Sequence, residues 1–117
     1  MTPPSRINLN KAKTVVTITF DDTDYALTSE YLRVYSPSAE VVGHGPGQEI
    51  LQVGKEGVTI TNIQPTGNYA VILFFSDGHD TGIYSWSHLY NLAKNQEILW
   101  LEYLQKLEKA GHKRLTS

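Results

Sequence analysis

Three observations predict an α+β domain: a small antiparallel or mixed β-sheet with short helices packed against it and an amphipathic helix at the C-terminus. Short runs rich in Val, Ile, Thr and Phe are separated by turn-forming clusters such as Pro65-Thr66-Gly67-Asn68 and Asp77-Gly78, the pattern of neighbouring antiparallel strands. The run from Ala70 to Phe75 is apolar without alternation, so it belongs to a strand covered on both faces. Residues 96–110 repeat their apolar side chains at helical spacing. At 117 residues the chain has room for one core, and a second would be too small to stand alone.

Composition narrows the function classes. Net charge is -2, with 40% hydrophobic and 19% charged residues, so no strong field favours nucleic acid or an anionic membrane as partner. The absence of cysteine excludes disulfides, iron-sulfur ligation and any thiolate zinc site built from this chain. Residues 1–6 lack the apolar centre of a signal peptide, and the longest apolar run, Tyr69 to Phe75, is too short to span a bilayer. A cytoplasmic protein is the expectation.

Residues 1–13 mix Pro, Ser, Asn and Lys without periodicity and read as a flexible arm. Residues 14–20 form the first strand, with Val16, Ile18 and Phe20 on one face. Asp21-Asp22-Thr23-Asp24 turns the chain into a partner strand at Tyr25-Ala26-Leu27. Thr28 or Ser29 then caps a short helix through Tyr31, Leu32 and Val34, which Ser36-Pro37 ends because the residue before proline leaves the helical region. Residues 38–48 read as a loop with alternate glycines at Gly43, Gly45 and Gly47; it matches neither the dinucleotide fingerprint nor the P-loop. Ile50-Leu51-Gln52-Val53 and residues 58–63 read as a hairpin around Gly54-Lys55-Glu56-Gly57. The next strand, residues 69–75, pairs antiparallel with the second arm of that hairpin and occupies the middle of the core. Beyond Asp77-Gly78, a short strand leads to Ser85 or Ser87, either of which can cap a helix carrying Trp86, Leu89, Tyr90 and Ala93. Asn95 can close this helix and cap the last, whose stripe is Leu99, Trp100, Tyr103, Leu104 and Leu107, with Gly111 at the C-terminal cap. The organisation is thus an arm at 1–13, the domain at 14–94, its C-terminal helix at 95–111 and a frayed tail at 112–117.

The residues capable of chemistry gather in loops, where function concentrates. Asp77-Gly78-His79-Asp80 places an imidazole between two carboxylates, which suits a divalent cation or a poised base and equally suits a tight turn. His44 and His88 could join His79 at zinc or iron if the fold brings them together. Ser76, Asp77 and His79 have the residue types of a hydrolytic triad, but neighbours in sequence do not align into a relay, and no nucleophile elbow is present. Tyr35, Tyr84, Trp86 and Tyr90 could form a recognition surface or fill the core.

Tyr31-Leu32-Arg33, Ser36-Pro37-Ser38-Ala39-Glu40-Val41, Gly43-His44-Gly45-Pro46-Gly47, Pro65-Thr66-Gly67-Asn68-Tyr69-Ala70-Val71 and residues 76–86 together resemble the gamma-butyrobetaine hydroxylase-like N-terminal domain. The resemblance extends from Thr14 to Leu92, and the stand-alone bacterial members of that family are a domain of unknown function. In the oxygenases that give the family its name, the resemblance implies an accessory unit holding structural zinc through a cysteine cluster and a histidine. The cysteine positions correspond here to Ser36, Ser38 and Val41, and the histidine to His79. Catalysis by iron and 2-oxoglutarate resides in a separate following domain that this chain is too short to contain. Related domains fused to P-loop scaffolds of iron-sulfur cluster assembly imply an accessory role near metal or cofactor handling.

The leading expectation is therefore a non-catalytic binding or adaptor module for another protein, with no nucleic acid or membrane partner. Its surface comprises His44, Gly45, Asp77, His79, Asp80, Tyr84 and Trp86. The competing expectation is zinc or iron bound through His79 with Asp77 and Asp80; the third is an enzyme of unassigned activity.

Overall fold

Residues 2–114 are described in a computed structural model of the chain. The architecture is α+β: two three-stranded antiparallel sheets with four helices, the last lying at the C-terminal end. In the first sheet β1 (Arg6–Leu9), β2 (Val15–Phe20) and β3 (Thr23–Thr28) are neighbours in that order. Val16, Ile18 and Phe20 are buried on one face of β2, as strand alternation requires. Asp21 and Asp22 link β2 to β3 with φ of 48° and 63°, the two-residue turn that short polar side chains tolerate.

The flexible arm is corrected: it contains β1, which pairs with β2 from Arg6↔Thr19 to Leu9↔Val16. Ile7 and Leu9 pack against the core, and the Asn10 side-chain oxygen accepts from the amides of Thr14 and Val15 to close the turn. Four residues were too short an alternation to stand out beside Pro and Asn.

Thr28 caps α1 (Ser29–Val34), its hydroxyl accepting the Tyr31 amide at 3.1 Å, and all six residues of the helix are buried. The stretch read as a loop begins with one helical turn, α2 (Ala39–Val42), capped by the Ser38 hydroxyl. Gly43 ends it at φ 78°, where a Cβ would also fall 2.1 Å from the Gln48 carbonyl oxygen, so no other residue fits.

In the second sheet β5 (Ala70–Phe75) lies between β4 (Ile60–Thr66) and β6 (Ile83–Ser85). Its buried or half-buried residues on both faces match the unbroken apolar run. The proposed hairpin at 50–53 does not form: β4 pairs only with β5, and residues 43–59 contain no strand. The backbone there finds other partners instead: the Gln52 carbonyl accepts from the Tyr103 hydroxyl at 2.7 Å, and the Ile50 amide donates to the Val41 carbonyl at the end of α2.

Ser85 caps α3 (Trp86–Lys94), and Asn95 separates it from α4 (Gln96–Lys109). The Asn95 amide reaches back to Asn91 rather than capping α4. Gly111 at φ 78° closes α4 with paired bonds, Gly111 N–H to Glu108 and His112 N–H to Leu107. The main core joins both sheets with α1 and α3, whereas Tyr103 and Leu107 of α4 form a smaller cluster with Val34. Of the tail expected to fray, residues 115–117 lie outside the described residues. Arg114 is held, donating to both oxygens of buried Glu30 at 2.8 and 2.5 Å and lying over the Trp100 ring. Among the described residues no helix is long and apolar enough to cross a membrane.

Candidate functional site

The Asp77-Gly78 turn between β5 and β6 is shaped by local bonds. Gly78 takes φ 88°, the His79 amide donates to Asp77, and the Phe75 amide donates to the His79 carbonyl. This geometry swings the His79 side chain inward, leaving the residue 5% exposed beside the Phe75 ring. Ser36, just beyond α1, and Glu40, on α2, meet it from opposite ring nitrogens: Ser36 Oγ lies 2.8 Å from Nε2 and Glu40 Oε2 2.9 Å from Nδ1. A second bond, Ser38 Oγ to Thr81 Oγ1 at 2.7 Å, ties α2 to the same segment.

Burial, reinforced by the nearby Arg33 guanidinium, lowers the His79 pKa below the ordinary imidazole value despite the Glu40 carboxylate. The ring is therefore neutral near pH 7. Since a carboxylate only accepts, Nδ1–H donates to Glu40 and the Ser36 hydroxyl donates to Nε2. Ser36 in turn accepts from the Ser38 amide at 3.2 Å. Hydroxyl, imidazole and carboxylate stand in the order of a hydrolytic triad. Yet Ser36 is 1% exposed, and a Cβ on neighbouring Gly82 would fall 2.5 Å from its hydroxyl oxygen, so the packing leaves no place for a substrate against that atom.

Asp77 faces two cations, with its Oδ2 2.9 Å from Arg33 Nε and 2.8 Å from Lys55 Nζ. Burial alone would raise its pKa, but the bonds from Lys55, the His79 amide and Arg33 prevail and hold it at about 2. Arg33 also donates to Gln52 Oε1, so α1 fastens the long loop and the turn together.

Among the expected surface residues, His44, Asp77 and Asp80 are exposed and Gly45 is partly so. His79 and Tyr84 are corrected to the interior. Tyr84 is 0% exposed because its hydroxyl donates to the Leu32 carbonyl at 2.6 Å, which draws the ring into the core. Trp86 is half-buried, its indole N–H bonded to the Asn68 carbonyl.

The expected ligand sets do not assemble. Among the described residues no three His, Cys, Asp or Glu side chains converge as a cation site. Asp77 is committed to Arg33 and Lys55, and His88 Nε2 donates to the Tyr35 carbonyl. The zinc positions fare no better. Ser36, Ser38 and His79 do come together, but two ligands of one zinc stand about 3.3 Å apart when each bond is near 2.0 Å. The direct 2.8 Å Ser36–His79 bond leaves no space between them, and Val41 has no donor atom. The residues present do not fit zinc.

Several site residues had no signal of their own in the sequence. Arg33 and Lys55 could not be matched to Asp77, nor Glu40 to His79, because each pair meets only across the folded chain. An arginine inside the otherwise apolar Tyr31-Leu32-Arg33-Val34 was the one available hint, since such a residue needs a partner when buried.

Residues 7–90 match the family model described as gamma-butyrobetaine hydroxylase-like, N-terminal. The chain belongs to that family. Among solved structures, this gamma-butyrobetaine hydroxylase-like N-terminal domain is similar to one determined in solution by NMR, at 46% identity and TM-score 0.86, covering 97% of this chain and 90% of the other. A second NMR structure is 47% identical at TM-score 0.81, covering 97% and 86%. A crystal structure of a protein with unknown function, of the DUF971 family from Acidithiobacillus ferrooxidans, is 37% identical at TM-score 0.63, covering 77% and 91%. No curated protein matches the chain. The family is one of unknown function in its stand-alone form.

Proposed function

We propose that the domain is a non-catalytic binding or adaptor module that docks another protein through the exposed edge formed by the His44 loop and the Asp80 end of the β5–β6 turn. The observation that supports this reading is the engagement of both His79 ring nitrogens, which spends the imidazole on joining α2 to the turn. With Ser38 bonded to Thr81 as well, the segment leading into residues 43–47 is fixed to the turn at two points. Loops held on a rigid support present their exposed groups with little ordering loss on binding. His44 and Asp80 are such groups, one an imidazole and one a carboxylate, and neither contributes to the core.

The experiment is a quantitative pull-down from cell extract with the full chain as bait, comparing it with His44→Ala/Asp80→Ala, whose fold is checked by circular dichroism. A partner retained by the parent and lost at least tenfold by the folded double variant supports the edge. Identical partners in both refute it.

A further inference from the structure

A groove of about 580 Å³ lies between α4, the end of α1, α2 and residues 49–52, and reaches Ser36, the residue bonded to His79 Nε2. Its volume is within the range of small-molecule sites, roughly 300–1,000 Å³. Val34, Val41, Leu51 and Tyr103 line it, while Val42 and Ile50 on its wall are 45% and 54% exposed. The charged lining consists of Glu49 from the loop and Lys106 and Lys109 from α4. We propose that this groove binds an aliphatic monocarboxylate, a free medium-chain fatty acid, with its chain along the apolar wall and its carboxylate at Lys106 and Lys109.

The two lysines are three residues apart and so share one side of the helix, on the last turn. Their position at a helix C-terminus is favourable in itself. That does not account for the apolar trough beside them, left open to water between a helix and a loop. The chemistry that suits both features is a flexible hydrocarbon carrying one negative charge. Burial of its methylenes drives binding, so the chain supplies the affinity and the lysines fix its direction. A cationic head would meet two like charges, and Glu49 excludes a second carboxylate on the loop side. His88, also in the lining, already donates Nε2–H to the Tyr35 carbonyl.

The test is an NMR amide titration of the full chain with decanoate below its micellar concentration, beside decanol and butyrate. The expected result is saturable shifts at Val34, Leu51 and Ala110, at least tenfold weaker affinity for decanol, and no saturation with butyrate. The double variant Lys106→Glu/Lys109→Glu, shown to be folded by its amide spectrum, should lose decanoate affinity at least tenfold and keep its weak response to decanol. Absence of saturation, equal affinity for decanoate and decanol, or shifts centred elsewhere would overturn the proposal. So would shifts at these residues that depend on protein concentration alone, which would make the groove a contact between copies.

Discussion

Gly82 lies so close to Ser36 that a Cβ built on it would stand 2.5 Å from the serine hydroxyl oxygen and 3.1 Å from the Tyr84 ring. The glycine is thus a matter of space, which lets β6 approach the residues that follow α1. Gly82→Ala should destabilise the fold by about 1–3 kcal/mol through overpacking. Ser36→Ala removes the offending oxygen, so the double variant should lose less than the two single losses together. A double-mutant cycle by urea denaturation measures this, and strict additivity would count against the contact.

Ser36→Ala alone leaves the Nε2 acceptor of buried His79 without its donor. The expected loss is about 1–3 kcal/mol, the desolvation penalty of one unpaired buried polar group. Glu40→Gln should be milder, because the Glu40 side chain is 63% exposed and water can replace it at the rim. Equal losses for the two would show that the histidine is not held from the inner side.

Acid should weaken the fold in two steps. The folded pKa of His79 lies below its ordinary 6.5, so the native state binds fewer protons than the unfolded chain there. Its contribution is present above 6.5 and is lost as pH falls through the lowered value. Asp77 behaves likewise, from 3.8 unfolded to about 2 folded: its contribution is present above 3.8 and disappears towards pH 2. Urea midpoints from pH 8 to pH 2 should fall accordingly. His79→Gln should flatten the upper part, and Asp77→Asn the lower.

Arg114→Ala should destabilise the fold by about 3 kcal/mol, because the Glu30 side chain, 8% exposed, would keep a buried charge without its partner. Glu30→Gln/Arg114→Ala should recover part of that loss, and thermal melts of the three chains decide it. A change under 0.5 kcal/mol for Arg114→Ala would mean the bond does not persist in solution.

The local rules identified most elements. Alternation in Val16, Ile18 and Phe20, the unbroken run from Ala70 and Gly111 after the last helix are properties of neighbouring residues and are found where the sequence places them, while of the two capping hydroxyls the sequence offers at each helix start the fold uses Thr28 and Ser85. Where the rules failed, the competing groups were distant. β1 exists because β2 offers it an edge, and residues 50–53 forgo a strand because Tyr103 and Arg33 bond to Gln52 from two helices.

What the sequence by itself determined was the α+β pattern, the family and the absence of thiolates, since periodicity, turn chemistry and composition are written along the chain. Only the tertiary structure decided that His79 faces inward between Ser36 and Glu40, that Tyr84 belongs to the core, and that α4 leaves an open apolar groove. Each depends on residues some 40 or more positions apart coming within a few ångströms, with burial then selecting the bonds that satisfy them.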